Sequence, residues 1–245
     1  MTEAVTVRAE RDGPVAVLTI DRPERRNAVD RATLAQLLAA IGDAADARVI
    51  VLTGAAGHFC AGADLTGLED ASFAEALRRV LDALASSPRP VIAAVSGAAL
   101  GAGAQLAVAS DLRVASPDAR FGIPAAKLGL MVDHWTVQRL ALAAGHGTAR
   151  AMLLAAETVD GEAAHRLGLV HRLGDLDAAV AWGHEIAALA PLTISGHKLM
   201  LNRLERDLVG DADVAAAFTR AWSSADLSEG MAAFKERRSP TFHGR

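Results

Sequence analysis

Phe59-Cys60-Ala61-Gly62-Ala63-Asp64 and, about forty residues further on, Ala99-Leu100-Gly101-Ala102-Gly103-Ala104-Gln105 are the stretches whose reading decides the fold. Each follows an apolar run with the length of a buried strand, Arg48–Thr53 before the first and Pro90–Val95 before the second. Small residues let a ligand approach the backbone, and Gly62 allows a φ that other residues resist. Each turn is expected to open a helix, whose first N–H groups lack acceptors within the helix. Taken singly, either turn is an ordinary tight connection, and Gly-x-Gly alone says little. Facing one another, they would make a site for a developing oxyanion.

The rest of the chain fits around these turns. Val5–Ala9 and Val15–Ile20, separated by Arg11-Asp12-Gly13-Pro14, read as a hairpin. Asp30 is placed to cap a helix with Leu34, Leu37, Leu38 and Ile41 on one face. Ser72–Ser86 has helical spacing, Ala104–Ser110 is the helix after the second turn, and Arg113–Ala115 and Arg120–Phe121 are short strand candidates. From Asp133 onward the pattern reads almost wholly helical, in segments near 134–144, 147–156, 160–167, 176–190, 194–208, 212–224 and 227–237. Pro191 marks the expected break between a core over 1–190 and a helical region over 191–245. Recurring strand–strand–helix units favour an α/β spiral of similar elements.

Bulk properties narrow the function. With 51% apolar residues among 245, the chain can bury a full core. A net charge of −4 and the lack of a dense Lys/Arg block make nucleic acid or an anionic membrane an unfavoured partner. The single cysteine, Cys60, excludes an internal disulfide framework and fits a reducing cytoplasm. Met1 to Glu10 has acids and no apolar h-region, and no apolar run is long enough to span a bilayer. No His/Cys/Asp cluster has metal-ligand spacing, and no phosphate loop ends in Gly-Lys-Ser/Thr.

Further motifs recur in a specific order. Asp21-Arg22-Pro23 with Asn27-Ala28 comes first, then Val51-Leu52-Thr53-Gly54 and the first turn extended through Leu65. Pro90–Gly97, Leu100-Gly101-Ala102-Gly103, Ser110-Asp111 and Phe121-Gly122-Ile123-Pro124 follow. Gln138-Arg139-Leu140, Gly168-Leu169-Val170 and Pro240-Thr241-Phe242 complete the set. Over nearly its whole length the chain thereby resembles the crotonase, or enoyl-CoA hydratase/isomerase, superfamily.

That resemblance implies an α/β fold, the crotonase (ClpP-like) spiral of ββα units, with C-terminal helices that build a trimer. In this family two trimers commonly stack into a hexamer. It also implies that the backbone N–H groups of Ala63 and Ala102 polarise a thioester carbonyl and stabilise the enolate beside it. One such donor is typically worth about 10²–10³ in rate. Coenzyme A should lie along Asn27-Ala28 and Ala61–Leu65, a stretch that includes Gly62 and Asp64. Arg22, Arg25 and Arg26 are candidate phosphate partners, or else residues of a solvated loop. Phe234, Lys235 and Phe242 resemble the segment that helps to close a CoA site, sometimes on a neighbouring subunit. His243 stands where the family often has a lysine. A coenzyme A thioester is the implied ligand or substrate, and no other cofactor is implied.

Hydration requires water to lose a proton as it attacks C3 while C2 gains one, and two glutamates share that work in active hydratases. By spacing, their positions hold Gln105 and Ala125. Glutamine can hold a water or substrate by hydrogen bonds but takes no proton near neutral pH, and alanine does neither. Each acid–base role typically contributes about 10²–10⁴-fold, so ordinary hydration is expected to be weak or absent. Asp133, eight residues beyond Ala125, stands where dienoyl-CoA isomerases and the chlorobenzoyl-CoA dehalogenase use an aspartate. Aspartate just before a helix is also a favoured N-cap, and the isomerases also use the acid that is Ala125 here. His134 and Trp135 either line an acyl pocket or pack, and His146 and His171 sit in turns. Cys60 has no obvious base and reads as a small core residue.

Two functions are therefore expected to compete. One is an acyl-CoA-binding protein of fatty-acid metabolism that holds a thioester for storage or for transfer to a protein partner. The other is an active enzyme on an acyl- or enoyl-CoA that moves protons with Asp133, a bound water or a substrate group.

Overall fold

The computed structural model describes residues 4–64, 72–128, 130–204, 216, 220 and 223–245. Strands β1 (Val7–Asp12) and β2 (Val15–Ile20) form an antiparallel hairpin in which Asp12 faces Val15, leaving Gly13-Pro14 to turn the chain. Strands β3 (Val49–Gly54), β4 (Val91–Val95), β6 (Leu112–Ala115) and β9 (Arg172–Leu173) extend this sheet in parallel, in the order β1-β2-β3-β4-β6-β9. A smaller sheet has the order β5-β7-β8, built from β5 (Ala98–Leu100), β7 (Arg120–Gly122) and β8 (Thr158–Asp160). β4 with β5, and β6 with β7, each place their first strand in the large sheet and their second in the small one. The expected spiral of ββα units is this repetition.

Helix α1 (Arg31–Asp43) starts where Asp30 Oδ1 accepts the Thr33 N–H at 2.8 Å. Helices α2 (Ser72–Ser86) and α3 (Ala102–Ala109) join α1 over one face of the large sheet. After them come α4 (His134–Leu154), α5 (Gly161–Arg166), α6 (Leu176–Ala187), α7 (Pro191–Arg203) and α8 (Ala225–Glu236). On β3, Ile50 and Leu52 enter the core below α1–α3, whereas Val49 and Val51 face Ala179 and its neighbours on α6. Burial on both faces is why the run reads as continuously apolar. α6 comes close because Gly183 has no side chain; a Cβ there would lie 3.2 Å from a methyl of Val15.

Past Asp133 the structure departs from an all-helical reading. β8 pairs with β7 and the two-residue β9 pairs with β6, and both are too short to leave a periodic signal. Gly145, at φ 78° and ψ 152°, divides α4 near the break expected between 144 and 147. The expected helix at 212–224 falls largely outside the described residues, as does the end of 194–208. α7 takes Pro191 in its first turn, and from it Lys198 reaches back into the core. Lys198 Nζ donates to Asp111 Oδ2 at 2.7 Å, to the Arg89 carbonyl at 3.0 Å and to the Leu84 carbonyl at 3.1 Å. Burial pushes the Asp111 pKa up and the Lys198 pKa down, and the contact between them opposes both shifts. Among the described residues no helix is long and apolar enough to cross a membrane.

Candidate functional site

The two turns lie side by side at the C-terminal ends of β3 and β4. Cys60 N–H donates to the Ala98 carbonyl at 2.8 Å and Leu100 N–H to the Cys60 carbonyl at 3.0 Å, a short parallel bridge. Gly103 makes the approach possible, since a Cβ there would fall 2.1 Å from the Cys60 carbonyl oxygen. Gly62 sits at φ +119°, and a Cβ built on it would lie 3.0 Å from the Leu100 oxygen and 4.0 Å from the Ala102 nitrogen. The second turn opens a helix as expected, with Ala102 as the first residue of α3. At the first, Ala63 forms a bridge with Val29, and the helix expected after it falls on residues 65–71, Leu65 among them, which lie outside the described residues. The N–H groups of Ala63 and Ala102 have no backbone acceptor among the described residues.

A cavity of about 480 Å³ opens beside them, lined by Ala61, Gly62, Ala63, Ala102, Gln105 and Ala125 on the turn side. Its other walls are mainly apolar, from Phe73 and Leu77 on α2 and from Leu130, Met131 and Val132 before α4. A second cavity of about 560 Å³ lies between α2, α4 and α7 and includes no residue of either turn. The chemistry follows the turns, so the first cavity is the candidate site.

Among the described residues three polar side chains line it, Arg78, Gln105 and Asp133. Gln105 is 8% exposed, and its Oε1 accepts the Thr136 hydroxyl at 2.9 Å. Asp133 caps α4 through Oδ1, which accepts the Thr136 N–H at 2.7 Å, while Oδ2 lies 3.5 Å from Arg78. Its side chain is 41% exposed. Arg78 also pairs with Asp82 and lies 4.1 Å over the Trp135 ring, with Arg139 at 5.3 Å from the same ring. The hydrogen bond to Asp82 raises the Arg78 pKa further, so it is a fixed cation at the cavity wall. Neither Arg78 nor Thr136 was visible as a site residue in the sequence. Arg78 reads there as an ordinary i,i+4 partner of Asp82, and Thr136 as one polar residue in a helix start.

The loop beside the first turn corrects several expectations. Asn27 is fully buried: its Nδ2 donates to the Ala55 carbonyl at 2.8 Å and the His58 carbonyl at 2.5 Å, and Oδ1 accepts the Arg22 N–H at 2.9 Å. The side chain ties two loops together, with both its N–H bonds used, and its complete burial keeps it from a ligand. Arg22 turns inward, donating to the Ala28 carbonyl at 2.6 Å and lying 3.1 Å from both Asp30 and Asp64. At 13% exposure it braces the loop and is not presented to a phosphate, and Asp64 is likewise committed to the ion pair. Arg25 and Arg26 are exposed. The backbone pairing holds: Ala61 N–H donates to the Arg26 carbonyl and Val29 N–H to the Gly62 carbonyl, so residues 26–29 run beside 61–64.

Phe242 is far from this chain's own cavity. Its carbonyl accepts Arg48 Nη1 at 3.1 Å, and Arg48 precedes β3 at the end opposite the turns. The tail is held there by Asp226, which accepts the His243 and Gly244 N–H groups at 2.6 and 2.7 Å. The side chains of Phe234 and Lys235 lie outside the described residues. Cys60 is fully buried, and burial pushes its thiol up to about 12, which suits a core residue and not a nucleophile. His134 and His146 are exposed, so His134 neither packs nor lines the cavity. His171 Nδ1 accepts the Arg113 backbone N–H at 3.1 Å, and burial together with the charge of the Arg113 guanidinium lowers its pKa to about 4.

A two-sheet spiral with paired small-residue turns above an apolar cavity defines a class, and comparison with known proteins agrees. The enoyl-CoA hydratase/isomerase family model matches residues 10–245. The chain is 47% identical over 238 residues to "Probable enoyl-CoA hydratase echA6" of Mycobacterium tuberculosis, covering 94% of this chain and 96% of the relative. It is 34% identical over 258 residues to 2,3-dehydroadipyl-CoA hydratase of Escherichia coli, covering 100% of both. The crystal structure of enoyl-CoA hydratase from Mycobacterium tuberculosis H37Rv matches with a TM-score of 0.86 and 34% identity, over 98% of this chain and 99% of that one. The chain belongs to the enoyl-CoA hydratase/isomerase family of the crotonase superfamily.

Proposed function

We propose that this protein binds an acyl-CoA thioester, with the carbonyl oxygen between the N–H groups of Ala63 and Ala102, and does not carry out ordinary hydration. The observation that carries this reading is a pair of backbone donors without backbone acceptors, beside a cavity whose lining holds no pair of carboxylates, both among the described residues. Gln105 and Ala125 occupy the positions where the family's hydratases use glutamates. The donors polarise the carbonyl and stabilise negative charge on its oxygen. Without a base at 105 or 125, no group among the described residues of that wall removes a proton from water. Asp133 is engaged as a helix cap and by Arg78, which supports a structural role for it.

The pantetheine and adenosine parts follow the paired backbone at 26–28 and 61–64, with exposed Arg25 and Arg26 as the phosphate partners. The C-terminal helices assemble a trimer, or a hexamer of two trimers, in which the Phe242 tail serves a neighbouring subunit's site. In a cytoplasmic setting the bound acyl group is stored, or passed to a protein of fatty-acid metabolism. One observation favours a second reading, an active enzyme: the Asp133 carboxylate lines the cavity and is part-exposed. It would use Asp133, a bound water or a substrate group for proton transfer.

Ala102→Pro tests the first reading. Proline at a helix's first position keeps the helix and removes the N–H. Calorimetric titration with a saturated acyl-CoA should show affinity about ten-fold weaker, as expected for one lost hydrogen bond of ~1.4 kcal/mol. Unchanged affinity in a folded Ala102→Pro protein would overturn the oxyanion assignment.

A further inference from the structure

Arg78 and Asp133 answer one another at the cavity wall, but Gln105 is only half used. Its Oε1 is held by the Thr136 hydroxyl, and Thr136 is itself fully buried and fixed by the Asp133 cap. That leaves the two N–H bonds of Nε2, which donate to no group among the described residues. A side chain more than nine-tenths buried thus presents a neutral donor to a mostly apolar cavity. A saturated acyl chain gives that donor nothing to bond, which weakens binding.

Gln105 also lies at a defined distance from the other donors. It is three residues beyond Ala102 on α3, and residues so spaced are neighbours on one face, with Cβ atoms about 5–6 Å apart. A thioester oxygen on the Ala102 N–H therefore brings the chain atoms two bonds past the carbonyl carbon within reach of the amide. An oxygen on C3 is the acceptor that the amide meets.

We propose that the site selects 3-oxoacyl-CoA and holds it as the enolate, with one end of the delocalised charge on the Ala63 and Ala102 N–H groups and the other on Gln105 Nε2. This rests on the acyl-CoA reading above and names the ligand class. C2 of a 3-oxoacyl thioester lies between two carbonyls, so its proton leaves to bulk water. The electron pair is then shared by the thioester and C3 oxygens, and no bond to the protein forms. An ionised glutamate at 105 would repel the C3 oxygen; the neutral amide attracts it.

The test is titration of the protein with acetoacetyl-CoA and with butyryl-CoA, following affinity and the near-ultraviolet enolate band. Acetoacetyl-CoA should bind about ten-fold tighter, and the band should grow at a pH where the free ligand is largely the ketone. In Gln105→Met the affinity ratio should fall to about one and the band should be lost. Because that variant strands the Thr136 hydroxyl, Gln105→Met/Thr136→Val is measured beside it, and the wild-type ratio needs no variant at all. Equal wild-type affinities with no band would overturn this inference while the acyl-CoA reading stands. A band that persists in both variants would overturn the role of Gln105. Failure of both thioesters to bind would bring down the acyl-CoA reading itself.

Discussion

Asn27 and Gln105 are both buried amides near the same pair of turns, and the protein treats them in opposite ways. Asn27 has three bonds to backbone groups from two loops, and its left-handed φ of 58° suits asparagine better than most residues. The Gln105 side chain has one bond among the described residues, from Thr136, and the remainder of its amide faces the cavity. The first amide holds the frame; the second is available to a ligand. Lys198 belongs with Asn27, because its ammonium is used by Asp111 and two carbonyls. Completeness of internal bonding, more than closeness to the site, separates the frame from the binding surface.

Substitutions can break or sharpen that contrast. The largest effect should come from Lys198→Met, which leaves the Asp111 carboxylate without its cation. A loss of about 3–5 kcal/mol is expected in denaturant unfolding, and a loss below ~1 kcal/mol would remove Lys198 from the frame. Asn27→Ala leaves the Arg22 N–H and the His58 carbonyl without their partner, leaves the Ala55 carbonyl only the longer bond from the His58 N–H, and puts alanine at a positive φ. It should cost about 2–4 kcal/mol while preserving whatever preference the protein shows between acyl-CoA ligands. A changed preference with little destabilisation would make Asn27 a ligand residue after all. Asp133→Ala should cost about 1 kcal/mol through loss of the cap, with Asp133→Asn recovering most of it.

The smallest effect concerns pH. His171 has a pKa of about 4 in the folded protein against its ordinary 6.5, so the unfolded chain binds more protons between those values. Stability should therefore decline slightly as pH falls from 6.5 toward 4. The effect is small because the residue is exposed overall, and His171→Gln should flatten the slope. An unaltered slope in that variant would place the acid sensitivity elsewhere.

Much of this architecture was legible beforehand. β3 and β4 stood out because both of their faces are covered, and Asp30 and Asp133 stood out because a helix N-terminus needs an acceptor. The two turns were legible from their small residues and spacing. Side-chain direction was not: Arg22, Asn27 and Asp64 follow one another near the turns as ligand residues would, yet all three point into the protein. Long-range pairs were also hidden. Thr136 meets Gln105 across 31 residues, and Arg78 meets Trp135 only because α2 and the start of α4 converge at the cavity. Two- and three-residue strands such as β9 and β8 owe their existence to a neighbour's edge and carry no pattern of their own.

The most direct test of the account is turnover of short- and long-chain trans-2-enoyl-CoA at high protein concentration, followed by loss of the enoyl-thioester absorbance. Acyl-CoA binding is measured in the same preparation. The account predicts a flat trace beside saturable binding. Turnover proportional to protein, and abolished by Asp133→Asn, would contradict it and make this chain a working enzyme with a different proton carrier.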